Sequence, residues 1–145
     1  MKVLAALACA LVVSAACATS SNVSGDRRNV AAVTVTFTAV PAAVKAGQAV
    51  RLTIRLVNNA GTAARLVFPS SQKYDFWITS GRREIWRWST GRTFTQDITR
   101  VEIGGQTGTY FAESWPADRT GTLVAHAELL AETFRGDMKA TLTVS

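Results

Sequence analysis

Catalysis by protein side chains needs a nucleophile, an acid, a base or a metal held against a substrate. This chain of 145 residues carries one histidine, His126, and two cysteines, Cys9 and Cys17. His126 shares the parity of Thr122, Val124 and Glu128, so it is expected on the polar side of a strand, facing solvent. Both cysteines fall at the amino end, which leaves no second histidine or thiol in the body of the chain to complete a nucleophile and base pair or a transition-metal cluster. The carboxylates Asp75, Asp97, Glu102, Glu113 and Asp118 are dispersed. Asp75 is expected to accept hydrogen bonds from nearby backbone amides or an indole, or to pair with Arg87 or Arg92. Gly104-Gly105 precedes no helix whose amino terminus could hold a phosphate, and it reads as a turn. The expectation is a binding protein that is not an enzyme, with no catalytic residue, metal or cofactor.

Binding chemistry is concentrated between Phe68 and Gln96, where Trp77, Trp86 and Trp88 lie close together. Ser80-Gly81-Arg82-Arg83 has the composition of a hairpin turn, which would set Ile78 opposite Ile85, Trp77 opposite Trp86 and Asp75 opposite Trp88. Phe76, Ile78 and Ile85 would then face a core, and the three indoles would share the outer face with Asp75. Two readings follow. Either the segment Ser89 to Gln96, with Phe94, folds back over the indoles, or they form an exposed apolar patch of the kind that marks binding sites. The candidate partner-binding residues are Ser71, Gln72, Tyr74, Asp75, Trp77, Arg82, Arg83, Trp86, Arg87, Trp88 and Ser89. The candidate loops are Ser70 to Lys73, Ser80 to Arg83 and Ser89 to Thr93.

The elements that must position these residues read as strands. Val33, Val35 and Phe37 alternate with threonines, and Val50, Leu52, Ile54 and Leu56 alternate with Arg51, Thr53 and Arg55, which is the period of a half-buried strand. Turn signals stand at Pro41 to Gly47 and at Asn58-Asn59-Ala60-Gly61. Further strands are expected at Arg65 to Phe68, Tyr74 to Thr79, Glu84 to Trp88, Ile98 to Ile103, Thr107 to Trp115, Thr120 to Glu128 and Met138 to Val144. The stretch Ala125 to Phe134 has good helix formers, but it continues the two-residue period and is taken as strand and then turn. Eight or nine short strands without crossover helices indicate an all-β, immunoglobulin-like antiparallel β-sandwich.

Ahead of this domain, Lys2 precedes an apolar run from Val3 to Val13 and then small residues, the anatomy of a secretory signal peptide. Ser14-Ala15-Ala16-Cys17 resembles a bacterial lipobox, in which Cys17 is lipidated and becomes the new amino terminus; ordinary cleavage at Ala16-Cys17-Ala18 or nearby is the alternative. The expected organisation is a signal peptide over 1–17, a flexible tether over 18–30 and one domain over 31–145. The domain should therefore be exported to the cell envelope and tethered to a membrane. Ala18, in place of an aspartate after the cysteine, favours the outer membrane where a cell has two. The formal charge of +6 comes from scattered basic residues, which read as a solvated surface and not as a nucleic-acid site.

The chain from about Val33 to Val144, most strongly between Asn58 and Gln96, also resembles the BsuPI-type intracellular proteinase inhibitor family. The resemblance rests on Phe68, Ser71-Gln72, the triplet Tyr74 to Phe76, Gly81, the run Trp86 to Ser89, Phe94, Gln96 and the later Trp115. Gly104-Gly105-Gln106 departs from the proline and glycine turn usual there. The resemblance implies an immunoglobulin-like fold and a proteinase as protein partner, which for an exported chain would be an extracytoplasmic serine protease. The alternatives are a non-inhibitory structural or interaction module of the cell envelope and a carbohydrate-binding β-sandwich, the latter requiring at least two coplanar, exposed indoles.

Overall fold

Alternation of apolar and polar residues produces strands throughout the computed structural model, which describes residues 22–134 and 136–145. The expected signal peptide, the lipidation site Cys17 and the start of the tether lie outside the described residues. Eleven strands are described: β1 Ser24–Val30, β2 Val33–Val40, β3 Ala43–Val44, β4 Ala49–Asn58, β5 Ala64–Phe68, β6 Tyr74–Ser80, β7 Arg83–Arg87, β8 Thr99–Ile103, β9 Gly108–Pro116, β10 Gly121–Leu129 and β11 Met138–Val144. They form a four-stranded sheet in the order β1-β2-β4-β9, a five-stranded sheet in the order β3-β11-β10-β6-β7, and a side pair β5-β8. All pairings are antiparallel except the short β3 with β11. The fold is the expected immunoglobulin-like sandwich.

The two inner faces supply the core. Val35 and Phe37 on β2 and Leu52, Ile54 and Leu56 on β4 meet Phe76 and Ile78 on β6, Leu123 and Ala125 on β10 and Leu142 on β11, all at 1% exposure or less. Fully burying each large apolar side chain contributes roughly 1.5–3 kcal/mol, and with no cysteine among the described residues this packing has no disulfide to support it. Trp115 on β9 and Phe68 on β5 are also fully buried. The stretch Ala125 to Phe134 behaves as expected, strand as far as Leu129 and then a turn closed by Phe134 N–H donating to the Ala131 carbonyl at 3.0 Å.

Two strands were not anticipated. The presumed tether over 18–30 is in part β1, whose residues Ser24–Val30 pair along the whole of β2. Its sequence SGDRRNV has no apolar alternation because it is an edge strand held by polar contacts. Gly25 lets its backbone come close to the Phe37 carbonyl. Ser24 Oγ accepts from Thr141 N–H at 2.8 Å and Arg28 Nη2 donates to the Asp137 carbonyl at 2.8 Å, so β1 joins the two sheets at that edge. The second, β3, is two residues long and lies in what reads as a turn.

Among the described residues the buried indole N–H groups of Trp88 and Trp115 have no partner, whereas the buried polar side chain at the end of β4 is fully paired. Asn58, fully buried at the end of β4, donates from Nδ2 to the carbonyls of Thr62 at 2.8 Å and Ile103 at 3.0 Å, and its Oδ1 accepts from Ala60 N–H at 3.0 Å. One side chain thus shapes the turn and ties it to the β5-β8 pair. Asn58→Ala would leave these backbone groups unsatisfied, and we expect a loss of about 2–3 kcal/mol, read as a lower urea midpoint with unchanged slope. An unaltered midpoint would show that the turn holds without it.

Candidate partner-binding site

The hairpin β6-β7 begins in the expected register, with Ser80 opposite Arg83 and Thr79 opposite Glu84, and then slips by one residue. Ile78 pairs with Trp86 and Trp77 with Arg87, so Ile85 is the extra residue of a β-bulge. A one-residue shift reverses the face of every later side chain. The predicted pairs Ile78 with Ile85, Trp77 with Trp86 and Asp75 with Trp88 are therefore corrected. Trp86 and Trp88 turn inward and pack against the core, and only Trp77 remains outside. No plane of exposed indoles forms, which removes the feature that a sugar-stacking role for this face required.

Trp88 instead builds a seam between the sheets. Its ring stacks on Tyr74 at 4.6 Å, Tyr74 stacks on Phe111 of β9 at 4.9 Å, and Phe94 makes a tilted contact with Trp88 at 5.8 Å. The Tyr74 hydroxyl donates to Glu113 Oε1 at 2.6 Å, bridging β6 to β9. Burial, and then this hydrogen bond, push the Tyr74 phenol well above its ordinary pKa, so it remains a donor. Arg92 lies over the Trp88 ring at 4.5 Å and donates from Nε to the Trp88 carbonyl at 2.9 Å. The folding back of the segment after Ser89 is thus observed through Phe94 and Arg92, but it covers Trp88 in the seam and not an outer face of three indoles.

On the outer face the slip gives Asp75 its partners. Its carboxylate accepts from Arg87 Nη1 at 2.7 Å, from Ser89 Oγ at 2.7 Å and from Phe76 N–H at 2.9 Å. Arg87 also makes a forked contact with Glu84, the closest bond being 2.7 Å from Nη2. The Glu84 hydrogen bond, ahead of Asp75 and against some desolvation, raises the Arg87 pKa further, and Arg87 in turn holds Glu84 below the usual carboxylate range. The Arg87 guanidinium lies 4.6 Å over Trp77, whose far side is stacked on His126 at 4.9 Å and 9°.

His126 is outward but covered, its side chain only 12% exposed, which corrects its expected solvent-facing position. Trp77 lies beside it in register, Thr79 Oγ1 is 2.9 Å from Nε2 and Asp137 Oδ2 is 2.8 Å from Nδ1. Hydroxyl, imidazole and carboxylate follow the order of a catalytic triad. The site lacks what a triad serves, because the neighbouring β6 and β10 N–H groups belong to the sheet ladder and cannot gather around an oxyanion, and Trp77 covers the ring. The group acts as a polar staple across β6, β10 and the start of β11. Desolvation works to raise the Asp137 pKa, but the His126 hydrogen bond and the Lys139 charge outweigh it and the pKa is lowered.

Three loops flank this hairpin. Arg82 and Arg83 are exposed at its tip, where Gly81 takes φ 58°, and a cleft of about 360 Å³ runs from Ser80, Arg83 and Ile85 to Arg119. Ser71 and Gln72 are half-buried and held down: Gln72 Nε2 donates to the Tyr74 carbonyl at 3.2 Å, and Ser71 N–H donates to the Thr95 carbonyl at 3.0 Å. Thr95 N–H returns a bond to Ser71 Oγ at 2.9 Å, and Thr99 Oγ1 donates to the Ser70 carbonyl at 2.8 Å. Between these two fastenings Gln96, Asp97 and Ile98 are exposed, Ile98 to 57%. The predicted residues Asp75, Arg87 and Ser89 come together in one network, and Tyr74 with Trp88 in another. Arg82 and Arg83 stand apart from both. The exposed Gln96 to Ile98 bridge, Thr79, Glu84 and Asp137 were not anticipated; the serines and threonines that fasten the bridge have no distinctive spacing.

These features define an immunoglobulin-like domain with a locked hairpin and a fastened, exposed loop. The family model for the BsuPI intracellular proteinase inhibitor matches residues 37–134, and the chain belongs to that family, which is not an enzyme family. No curated protein matches. Among solved structures the chain is similar to a β-glucosidase from Erythrobacter marinus, at 12% identity and TM-score 0.43, over 74% of this chain and 14% of that one. It is also similar to a CARDB domain from Pyrococcus furiosus in complex with di-metal ions, at 12% identity and TM-score 0.40, over 83% of this chain and 94% of that one.

Two outcomes test the hairpin network. Asp75→Ala leaves Arg87 and Ser89 without their shared acceptor, and the side chain it removes is only 7% exposed. We expect a loss of about 2–3 kcal/mol with red-shifted tryptophan emission; full stability would assign register control to the bulge alone. Asp137 and Glu84 both have lowered pKa values in the folded state, so the stability they add is present above the ordinary carboxylate range and lost as pH falls through the lowered values. Unfolding free energy should decline through that acid window, and less steeply in Asp137→Asn; identical slopes would exclude the Asp137 contribution.

Proposed function

We propose that this chain is an envelope-tethered inhibitor of an extracytoplasmic serine protease and that it presents the segment Thr95 to Thr99 to the protease cleft. Family membership supports inhibition, and the signal-like amino end with Cys17 supports export and lipid anchoring. The observation that carries the choice of segment is the double fastening of Thr95 to Ser71 and Thr99 to Ser70 around three exposed residues. A loop held at both ends before binding loses less conformational entropy when bound, which favours affinity. The hairpin tip at Arg82 and Arg83 suits the role less well, because a tight turn with Gly81 at positive φ cannot lie extended in a cleft that takes substrates as a strand. Ile98 is the large apolar side chain on offer, which favours a subtilisin-like cleft over a trypsin-like one.

Titrating residues Ala18 to Ser145 against subtilisin-like and trypsin-like proteases tests this reading. Stoichiometric inhibition of the former is expected, with slow cleavage of the inhibitor. Ile98→Asp should weaken it by more than about tenfold, as removal of a central apolar anchor does, while Arg82→Ala should have little effect. The reverse ranking would move the contact to the hairpin, and an intact but inactive domain would favour the non-inhibitory envelope module. In an exporting bacterium, Cys17→Ser should abolish incorporation of labelled palmitate; unchanged labelling would exclude Cys17 as the anchor.

A further inference from the structure

The outward face of the four-stranded sheet differs from that of the five-stranded sheet in one respect. On the latter, a row across the strands reads Arg87, Trp77, His126, Lys139, and each of its charged or titratable members faces Asp75, Glu84 or Asp137. On the former, the register aligns Arg27 of β1, Thr36 of β2, Arg55 of β4 and Tyr110 of β9 in a similar row, and no carboxylate accompanies it. The two acids in these strands, Asp26 and Glu113, occupy the opposite parity, paired with Phe37 and Leu52. Arg27, Arg51 and Arg55 are exposed and form no ion pair among the described residues.

The row is also concave. A depression of about 430 Å³ lies over it, with Arg27 and Arg55 at its sides and Thr36, Thr38 and Thr53 on its floor. Two guanidinium groups on alternate strands stand about 9–10 Å apart at their bases, with hydroxyl groups between them able to donate or accept. Tyr110, 63% exposed, adjoins Arg55 and presents a ring face beyond the charged pair. Guanidinium forks match carboxylates, hydroxyls match sugar hydroxyls, and an exposed aromatic ring matches the apolar face of a pyranose. The spacing suits charges repeated along an extended glycan better than a single small anion.

We propose that this face binds an acidic polysaccharide, with Arg27 and Arg55 taking carboxylates on successive repeats and Tyr110 stacking on a sugar ring. The site lies on the opposite sheet from the hairpin, and the proposal does not depend on protease inhibition. It gives a positively charged domain a specific place to meet an anionic surface polymer.

The test uses the full chain carrying Cys17→Ser, so that no lipid anchor contributes, with polygalacturonate as the probe, dextran as the neutral comparison and phosphatidylglycerol vesicles as the lipid arm. Salt-sensitive binding to polygalacturonate and none to dextran is expected. Arg27→Gln with Arg55→Gln should weaken it about tenfold or more, whereas Arg100→Gln with Arg119→Gln, which removes equal charge elsewhere, should change it less than about twofold. Tyr110→Ala should weaken it about threefold and Tyr110→Phe hardly at all. Absence of binding, equal losses in the two double variants, or stronger binding to the vesicles than to the polyuronate would each overturn the proposal. Unchanged thermal midpoints in all variants separate lost binding from lost folding.

Discussion

Asp75 is a carboxylate set into the outer face of a sheet, and the arrangement of the hairpin follows from how its charge is satisfied. A nearly covered carboxylate must be paired and hydrogen-bonded, and the groups in reach are Arg87, Ser89 and the adjoining backbone. Without the bulge at Ile85, Arg87 and Ser89 would fall on the core side and Trp86 and Trp88 on the wet side. The bulge exchanges them. It meets the demand of one charge and at the same time delivers two indoles to the core. The electrostatic and the apolar requirements therefore select the same register, the mutual consistency that gives a sequence a single fold.

The consequence reaches the other sheet through Trp88. Once inside, its ring completes a stack with Tyr74 and Phe111, and the Tyr74 to Glu113 bond links the same two sheets a few ångströms away. Cross-sheet aromatic stacking and a charge-assisted bond together occupy the place that a disulfide has in many exported sandwiches. Phe94 extends the stack and anchors the long loop that follows, so the exposed bridge at Gln96 to Ile98 begins from a fixed point. Its far end is fixed by Thr99, where β8 begins. Rigidity in that loop is thus inherited from the hairpin register through Phe94 and Thr99.

Nine of the strands and the sandwich class were legible in the sequence, because period-two burial is a strong local signal. The pairing of Asp75 with Arg87 was also legible, as one of two arginines within reach. The bulge was not, since Glu84-Ile85-Trp86 offers no glycine or other mark of an extra residue, and every face assignment beyond it reversed in consequence. The edge strand β1 was hidden for a different reason: its stability comes from ladder bonds and from polar contacts to residues more than a hundred positions away, which leave no pattern in SGDRRNV. His126 kept its predicted parity but not its predicted exposure, because parity fixes direction and only neighbours such as Trp77 fix cover.

The contrast between the two outward faces has a further physical meaning. On the five-stranded sheet, charges are spent internally: Arg87 on two carboxylates, Asp137 on His126 and Lys139. Such groups are poorly placed to attract a partner, since an incoming ligand would have to displace contacts already made. On the four-stranded sheet, arginines without local acids project a field whose range in physiological salt is about 8 Å, enough to act just above the surface but not around the molecule. Much of the excess positive charge elsewhere is diffuse, but here it is aligned by strand register. A β-sheet thus converts scattered arginines, unremarked in a linear reading, into a row of defined spacing, while the hairpin on the opposite sheet uses the same residue type to hold itself together.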